Sequence, residues 1–556
     1  MQPISFLPTV TLWPGQIWLV AIQFATALCL IAPIAVIFLL AVGDSQEILA
    51  HLISTVLPLY ISNTIILMVG TGSIALIIGV TMAWVVSRYE FPFRRQLALM
   101  LILPAAIPSY IIAYAYTIFL EYAGPVQTSL RAVFDLSTRQ DYWFPEIRSI
   151  EGAMFVMASV LYPYVFLFAR SGFALISSRM FETALMSGRS LFTTVAIPMG
   201  RPAIIAGLAL VLMEVVADFG TVDFFAVPTI SLGVFNVWLG MNNITAAAQL
   251  SVFTMLVVFA LLFAEHYGKQ KSGKTSTASK IGVPRRRATG SLQFLLPLLC
   301  LMPVMVGFVI PVLVLVQFSV SSTLPNDIPQ IFDASMHTLF AASVGVVVIS
   351  MTGVSMGIIT SFIPTRIGRF LATLSAMGYA IPGTILALGV LGLAQNIAGV
   401  WVGAWSGVWR VLSLTEWQNF PSFLTASLPI LVLAYAVRFQ ITSFGATLAA
   451  TQQMPSTLVP ASRVMGHGFF ISMHRITVPL IRPSLLAAAL LIFVDIAKEL
   501  PLTLLLRPIG FDTLAVITYQ FANNEQIEQA ALPALLIVLI GILPVLIIQQ
   551  ALYKDI

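Results

Sequence analysis

The sequence predicts an all-α polytopic membrane protein of twelve transmembrane helices, arranged as two tandem six-helix repeats. Three observations predict this fold. Of the 556 residues, 59% are hydrophobic and 9% charged, against about 25% charged in soluble domains. The apolar residues gather in segments of the about 20 residues that a helix needs to cross hydrocarbon, where an open sheet edge could not satisfy its backbone. One basic loop between apolar segments also occurs twice, once in each half of the chain.

Taken in order, the spans are expected near residues 16 to 42, 60 to 86, 97 to 120, 151 to 169, 203 to 226 and 247 to 264, and again near 294 to 319, 338 to 363, 371 to 393, 421 to 441, 484 to 504 and 531 to 550. The first stretch, Gln16 to Val42, is longer than the apolar region of a signal peptide, has no basic start and lacks a clear cleavage site, so it is expected to remain as a span. Residues 268–291 carry seven Lys or Arg, no acid and much Gly, Ser and Thr. That composition marks a flexible cytoplasmic linker between a first transmembrane domain, 1–267, and a second, 292–556.

Charge placement reports topology. With both termini and the linker inside, the inner loops would hold Arg88, Arg94, Arg95, Arg170, Arg179, Arg189, Arg201, Arg366, Arg369, Arg438, Arg463, Arg475, Arg482, Lys554 and the linker cations, 21 of the 27 basic residues. This satisfies the positive-inside rule and the opposite orientation does not. The net charge of +5 is spread over short loops rather than gathered in a patch with interleaved aromatics, which argues against nucleic acid. Cys29 and Cys300 both lie in apolar segments, so no disulfide framework is expected.

The halves align with each other. Asn63-Thr64 opens span two as His337-Thr338 opens span eight, and Ile107-Pro108 kinks span three as Ile381-Pro382 kinks span nine, both at an offset of 274. After the repeated loops the offset becomes 281, which relates Pro202 to Pro483. With six spans per half the two copies share one orientation, about an axis along the membrane normal. The outer loops Glu121 to Glu151 and Ala394 to Phe420 are rich in Trp, Tyr and polar residues, as surfaces for an extracytoplasmic partner would be.

The repeated loops read FETALMSGRSLFTTVAIPMGRP (Phe181 to Pro202) and VPASRVMGHGFFISMHRITVPLIRP (Val459 to Pro483). Each predicts a short helix, a turn and the start of a span. They resemble the EAA loop of ABC importer permeases, here within 179–202 and 456–483. The resemblance implies the type I importer fold and a short cytoplasmic coupling helix that docks into an ATPase subunit. By that resemblance Glu182, Ala184, Gly188, Pro198 and Pro202 take the motif positions in the first loop, and Ala461, Gly466, Pro479 and Pro483 in the second. The first loop is three residues shorter between Gly and Pro, and the motif Glu is Pro460 in the second, so the two docking contacts are expected to be unequal.

Spans five and eleven, with ADFGT at Ala217 to Thr221 and KELP at Lys498 to Pro501, resemble the fused permease of ferric-iron importers, as does Pro104 to Thr117. The resemblance implies a multi-pass inner-membrane subunit that passes ferric iron delivered by an extracytoplasmic ferric-iron binding protein, driven by a dimer of cytoplasmic ABC ATPase subunits. It implies no catalytic residue and no cofactor of its own, with ATP bound by the partner. Thiamine, sulfate and polyamine importers share the loop but not ADFGT or KELP. A twelve-span secondary transporter would leave two such loops unexplained.

Other residues weigh less. The stretch Gly268 to Thr275 satisfies the phosphate-loop pattern but lacks a preceding strand and a following helix. His467 and His474 stand seven apart with no Cys or acid nearby, so no metal site is expected. The buried charges are more informative, because charge deep in lipid faces a cavity or a partner. Glu214 maps to Asp495 and Asp218 to Glu499 at the 281 offset. Spaced i, i+4, each pair would share a helix face about 18 and 24 Å along the span from its proline. All four are expected to line the translocation path on the axis between the halves, with Lys498 partly neutralising the second pair. The competing reading is that they pair with polar groups to fix helix packing.

Overall fold

Apolar segments have one way to bond their own backbone in lipid, and among the described residues they form helices. The computed structural model describes residues 14–270, 283, 285–322, 327–363, 365–412, 427–455 and 457–554. Residues 271–282 and 284 of the linker, with most of the phosphate-loop-like stretch, and 413–426, which carry the end of the second outer loop and the expected start of span ten, lie outside the described residues.

Among the described residues 10 helices are long and apolar enough to cross a membrane, and a pair bent by 92°, Arg94–Ala106 with Ser109–Phe134, makes an eleventh. The apolar stretch Ala531–Pro544 of the last helix is shorter than these. Against the twelve expected spans, several boundaries move for identifiable reasons. Spans two and eight start at Leu57 and Asp327, ahead of Asn63 and His337, which lie inside their helices. Span nine starts at Gly383 rather than 371, because Ile381-Pro382 follows a 3-10 turn (Ala376–Ala380) and breaks the helix there. Leu103–Ala106 and Ile107-Pro108 do the same in span three. Proline removes an N–H and biases the residue before it to extended backbone, and Ile107 and Ile381 have ψ of 126° and 128°. Spans five and eleven end at Ala217 and Ala497, well before 226 and 504. Arg438, expected on an inner loop, lies within the Leu428–Gln453 helix and is buried.

Two compact units form, and each combines segments distant in sequence. Unit one comprises Met1–Gly43 and Ala334–Thr513; unit two comprises Asp44–Asp333 and Leu514–Ile556. In unit one the Pro14–Ala41 helix packs along Gly383–Leu412 and Arg366–Ser375, while Leu428–Gln453 packs along Val478–Ala497. In unit two Leu57–Arg88 lies along Ile150–Ala174, which in turn holds Ile197–Ala217. A two-residue parallel bridge, Tyr89–Glu90 with Arg286–Arg287, ties the end of the linker to the end of the Leu57–Arg88 helix.

Small residues set these crossings, as expected where lipid removes the hydrophobic drive between helices. A Cβ on Gly79 would lie 2.6 Å from Val165 Cβ and 2.9 Å from the Phe166 N, and one on Gly353 would lie 2.4 Å from Ser443 Cβ and 3.0 Å from the Phe444 N. The opposite face of Leu57–Arg88 exposes Ile65, Val69 and Ile77, the lipid side of the helix. Gly79→Leu is therefore expected to destabilise the protein by about 1–3 kcal/mol through overpacking. Thermal unfolding of the detergent-purified chain measures this, and an unchanged midpoint would refute the close crossing.

Candidate functional site

The two repeated loops fold alike up to their glycines. In the first, the Ser178–Met186 helix ends where Gly188 and Arg189 N–H donate to Leu185 and Ala184 O at 3.1 Å each. In the second, the Leu458–Val464 helix ends where Gly466 and His467 N–H donate to Arg463 and Ser462 O at 3.0 and 3.2 Å. Gly188 and Gly466 have φ of +66° and +83° with open space around them. Backbone conformation, rather than room, demands glycine there. In this register Ala184 and Ser462 correspond and are buried, while Ala461 corresponds to Thr183 and is exposed with it. Glu182 is exposed, as are Leu185 and Met186 on one tip and Val464 and Met465 on the other.

Beyond the glycines the loops differ and then rejoin. Each enters its span through a five-residue π turn, Phe192–Ala196 or Met473–Thr477, followed one residue later by Pro198 or Pro479. The residue before each proline donates five residues back, Ile197 N–H to Phe192 O and Val478 N–H to Met473 O. A wider turn accommodates the ring that would clash with an ordinary helical carbonyl. Pro202 and Pro483 follow inside the helices. The three extra residues of the second loop thus fall between Gly466 and its π turn, where they complete a short helix, Phe469–Ser472.

The paired acids do not share helix faces, because the helices stop between them. Asp218 follows the last residue of Ile197–Ala217 with ψ of 131°, and its Oδ1 accepts from Thr221 N–H (2.9 Å) and Val222 N–H (3.3 Å) at the start of the next short helix, Gly220–Phe224. Its Oδ2 accepts from the hydroxyls of Ser109 (2.5 Å) and Thr221 (3.1 Å). Glu499 does the same after Ala497: Oε1 accepts from Leu502 N–H at 3.2 Å in the helix Pro501–Leu506, and Oε2 meets the Arg438 guanidinium at 3.5 Å. Lys498 pairs with Asp495 at 2.9 Å, while Glu214 is partly buried on its helix.

A further pair holds each break from span two or eight. Asn63 donates to Pro228 O at 3.1 Å, and His337 Nδ1 lies 3.0 Å from Asp512 O, with its ring stacked on Phe511. Residue patterns missed three partners. Ser109 lies in the Pro104 to Thr117 stretch but had no role assigned, and Tyr519, which donates to Asp223 at 2.6 Å, carries no motif. Arg438 had a usable signal, a cation inside an apolar segment.

No protein-family model matches the sequence. The chain is 21% identical over 506 residues, covering 89% of it and 90% of the relative, to the Fe(3+)-transport system permease protein FbpB 2 of Haemophilus influenzae. It is 23% identical over 193 residues, 34% of the chain and 69% of the relative, to the molybdate/tungstate transport system permease protein WtpB of Thermococcus kodakarensis. Both relatives are transport-system permeases, and the first match spans nearly the whole chain rather than the two loops alone.

The ion pair gives a prediction about the packing role. Arg438→Leu leaves Glu499, 7% exposed, without its cation, an expected loss of about 3–5 kcal/mol. Adding Glu499→Gln should recover most of that loss. A double variant as unstable as Arg438→Leu alone, in thermal unfolding of purified protein, would show that the two residues act separately.

Proposed function

We propose that the chain is the permease subunit of a type I ABC importer, carrying ferric iron from an extracytoplasmic binding protein across the inner membrane. The similarity to a ferric transport permease over nine-tenths of both chains carries this reading. The twelve-span, two-repeat description remains part of the proposal, supported by the matching glycine crossings and helix breaks. Two cytoplasmic ATPase subunits would take the exposed apolar tips Leu185, Met186, Val464 and Met465. In the outer loop Val133, Phe134 and Trp143 are exposed and suit a binding protein. The permease performs no covalent chemistry in this reading: ATP is bound and hydrolysed on the partner, and no resident cofactor is needed.

Glu214 and Asp495, which do not cap a break, are retained as path residues. Asp218 and Glu499 shape the path by holding the breaks, and Lys498 partly neutralises the second pair through Asp495. The second relative favours an oxyanion cargo within the same class, but carboxylates at the breaks would repel molybdate. Iron uptake against molybdate uptake, in vesicles holding the complex with its ATPase, decides between the two.

Two tests address topology and coupling. With Cys29 and Cys300 replaced, cysteines at Ser279 and Arg189 should be labelled only from the cytoplasm, and one at Ser137 only from outside. Labelling at Ser279 from outside overturns the orientation. Gly188→Val forces a β-branched residue into left-handed backbone at a cost of about 1–2 kcal/mol. Uptake and substrate-stimulated ATPase activity should fall several-fold with normal membrane accumulation, and Gly466→Val measures the share of the second loop. If both variants transport normally, these loops do not couple.

A further inference from the structure

Unit two holds a cluster of oxygen groups that the capping arrangement does not require. The short helix Gly220–Phe224 is flanked by two tyrosine-bearing helices, Ser109–Leu120 and Leu514–Asn523. On one flank the Tyr519 hydroxyl donates to Asp223 Oδ2 at 2.6 Å, and the Tyr519 ring lies 6.0 Å from Phe219. On the other, the Tyr114 ring meets Phe224 edge-on with centroids 4.5 Å apart. Tyr114 is 1% exposed, and its hydroxyl has no hydrogen-bond partner among the described residues. Phe224, on which the Tyr114 ring packs, is the residue next to Asp223. Among the described residues, neither Asp218 nor Asp223 forms an ion pair.

Leaving a buried hydroxyl unpaired costs about 1–3 kcal/mol, which phenylalanine would avoid. The proposed repeat supplies an internal control. At the offsets of 274 and 281, Tyr114 and Asp223 correspond to Leu388 and Leu504, so the same scaffold is built in unit one with apolar residues. Tyr114 and Asp223 are therefore not demanded by the fold.

We propose that Asp223, Tyr519 and Tyr114, with Asp218, form a transit station for a hard trivalent metal cation, an inference that rests on the importer reading and assigns its cargo contacts. Carboxylate and phenolate oxygens are hard ligands. On binding, the metal replaces the phenolic protons, which pass to water. The resident hydrogen bond from Tyr519 to Asp223 holds these oxygens together before the ion arrives. Few anionic ligands and competing protons keep the site weak enough to release its cargo.

The test uses the full-length permease in complex with its ATPase subunits. Asp223→Asn and Tyr519→Phe should each lower iron uptake about tenfold or more at equal protein level. Gallium(III), a redox-inert trivalent probe, should give a tyrosine ultraviolet difference spectrum with the wild type that is lost in Tyr519→Phe. Tyr519→Phe and Tyr114→Phe keep ring and volume, and they carry the test if Asp223→Asn does not accumulate. Uptake within twofold of wild type in these variants overturns the station and leaves the importer reading standing. Reduced uptake with an unchanged gallium spectrum assigns the residues to packing and also overturns it. A wild-type complex that takes up no iron overturns the importer reading itself.

Discussion

A transmembrane helix that stops inside the hydrocarbon leaves backbone N–H and C=O groups without partners, at several kcal/mol each. The structure depends on how it meets that cost twice. Asp218 and Glu499 sit where helices end at Ala217 and Ala497, and each accepts N–H groups of the short helix that follows. A carboxylate at a helix start also faces the positive end of the helix dipole. The loops beyond are then held from a long helix, through Asn63 in one unit and His337 in the other. Carboxylates at these breaks are thus explained first by the backbone they satisfy.

The two breaks are built alike but neutralised differently. Ser109 donates a hydroxyl to Asp218, whereas its counterpart at the 274 offset is Gly383, which has no side chain to offer. The space left there holds Arg438: a Cβ on Gly383 would lie 2.8 Å from Arg438 Nη1 and 3.1 Å from Glu499 Oε1. Unit one therefore balances Glu499 with Arg438 and Asp495 with Lys498. In unit two the hydrogen-bond partners of Asp218 and Asp223 are hydroxyls and N–H groups. An uncompensated carboxylate attracts cations more strongly than a compensated one, so the two breaks differ in electrostatic character though they share a backbone role.

Hydropathy and proline placement made the helices, the broken spans at Ile107-Pro108 and Ile381-Pro382, and the turn glycines Gly188 and Gly466 legible. Counting apolar residues could not find where spans five and eleven stop, since VLMEVVADFG continues in a helical pattern and only the carboxylate's capping bonds end it. The i, i+4 spacing of Glu214 and Asp218 misled for the same reason. Arg438 was counted with the inner-loop cations although it falls within the expected span 421 to 441, and recognising a buried ion pair requires the partner, Glu499, 61 residues on to be known. Nor does local pattern reveal that Pro14–Ala41 packs with Gly383–Leu412, a contact set by side-chain fit over a long sequence separation.

Each repeated loop leads into one helix that ends at one break: Ile197–Ala217 with 21 residues, and Val478–Ala497 with 20. At about 1.5 Å per residue these are rods of about 30 Å. The near end of each carries a π turn and a proline, where the hydrogen-bond ladder is interrupted and bending costs least. The far end carries the break, held by a few hydrogen bonds to Asp218 or Glu499. Under the proposed coupling role, a push on the loop tip would be transmitted along the rod, because a packed helix is stiffer than a joint where the hydrogen-bond ladder is interrupted. The displacement would then be absorbed where the capping bonds and the acids lie. In that proposal the charged groups lie at the far joint of each rod, where movement of the loop tip would be absorbed.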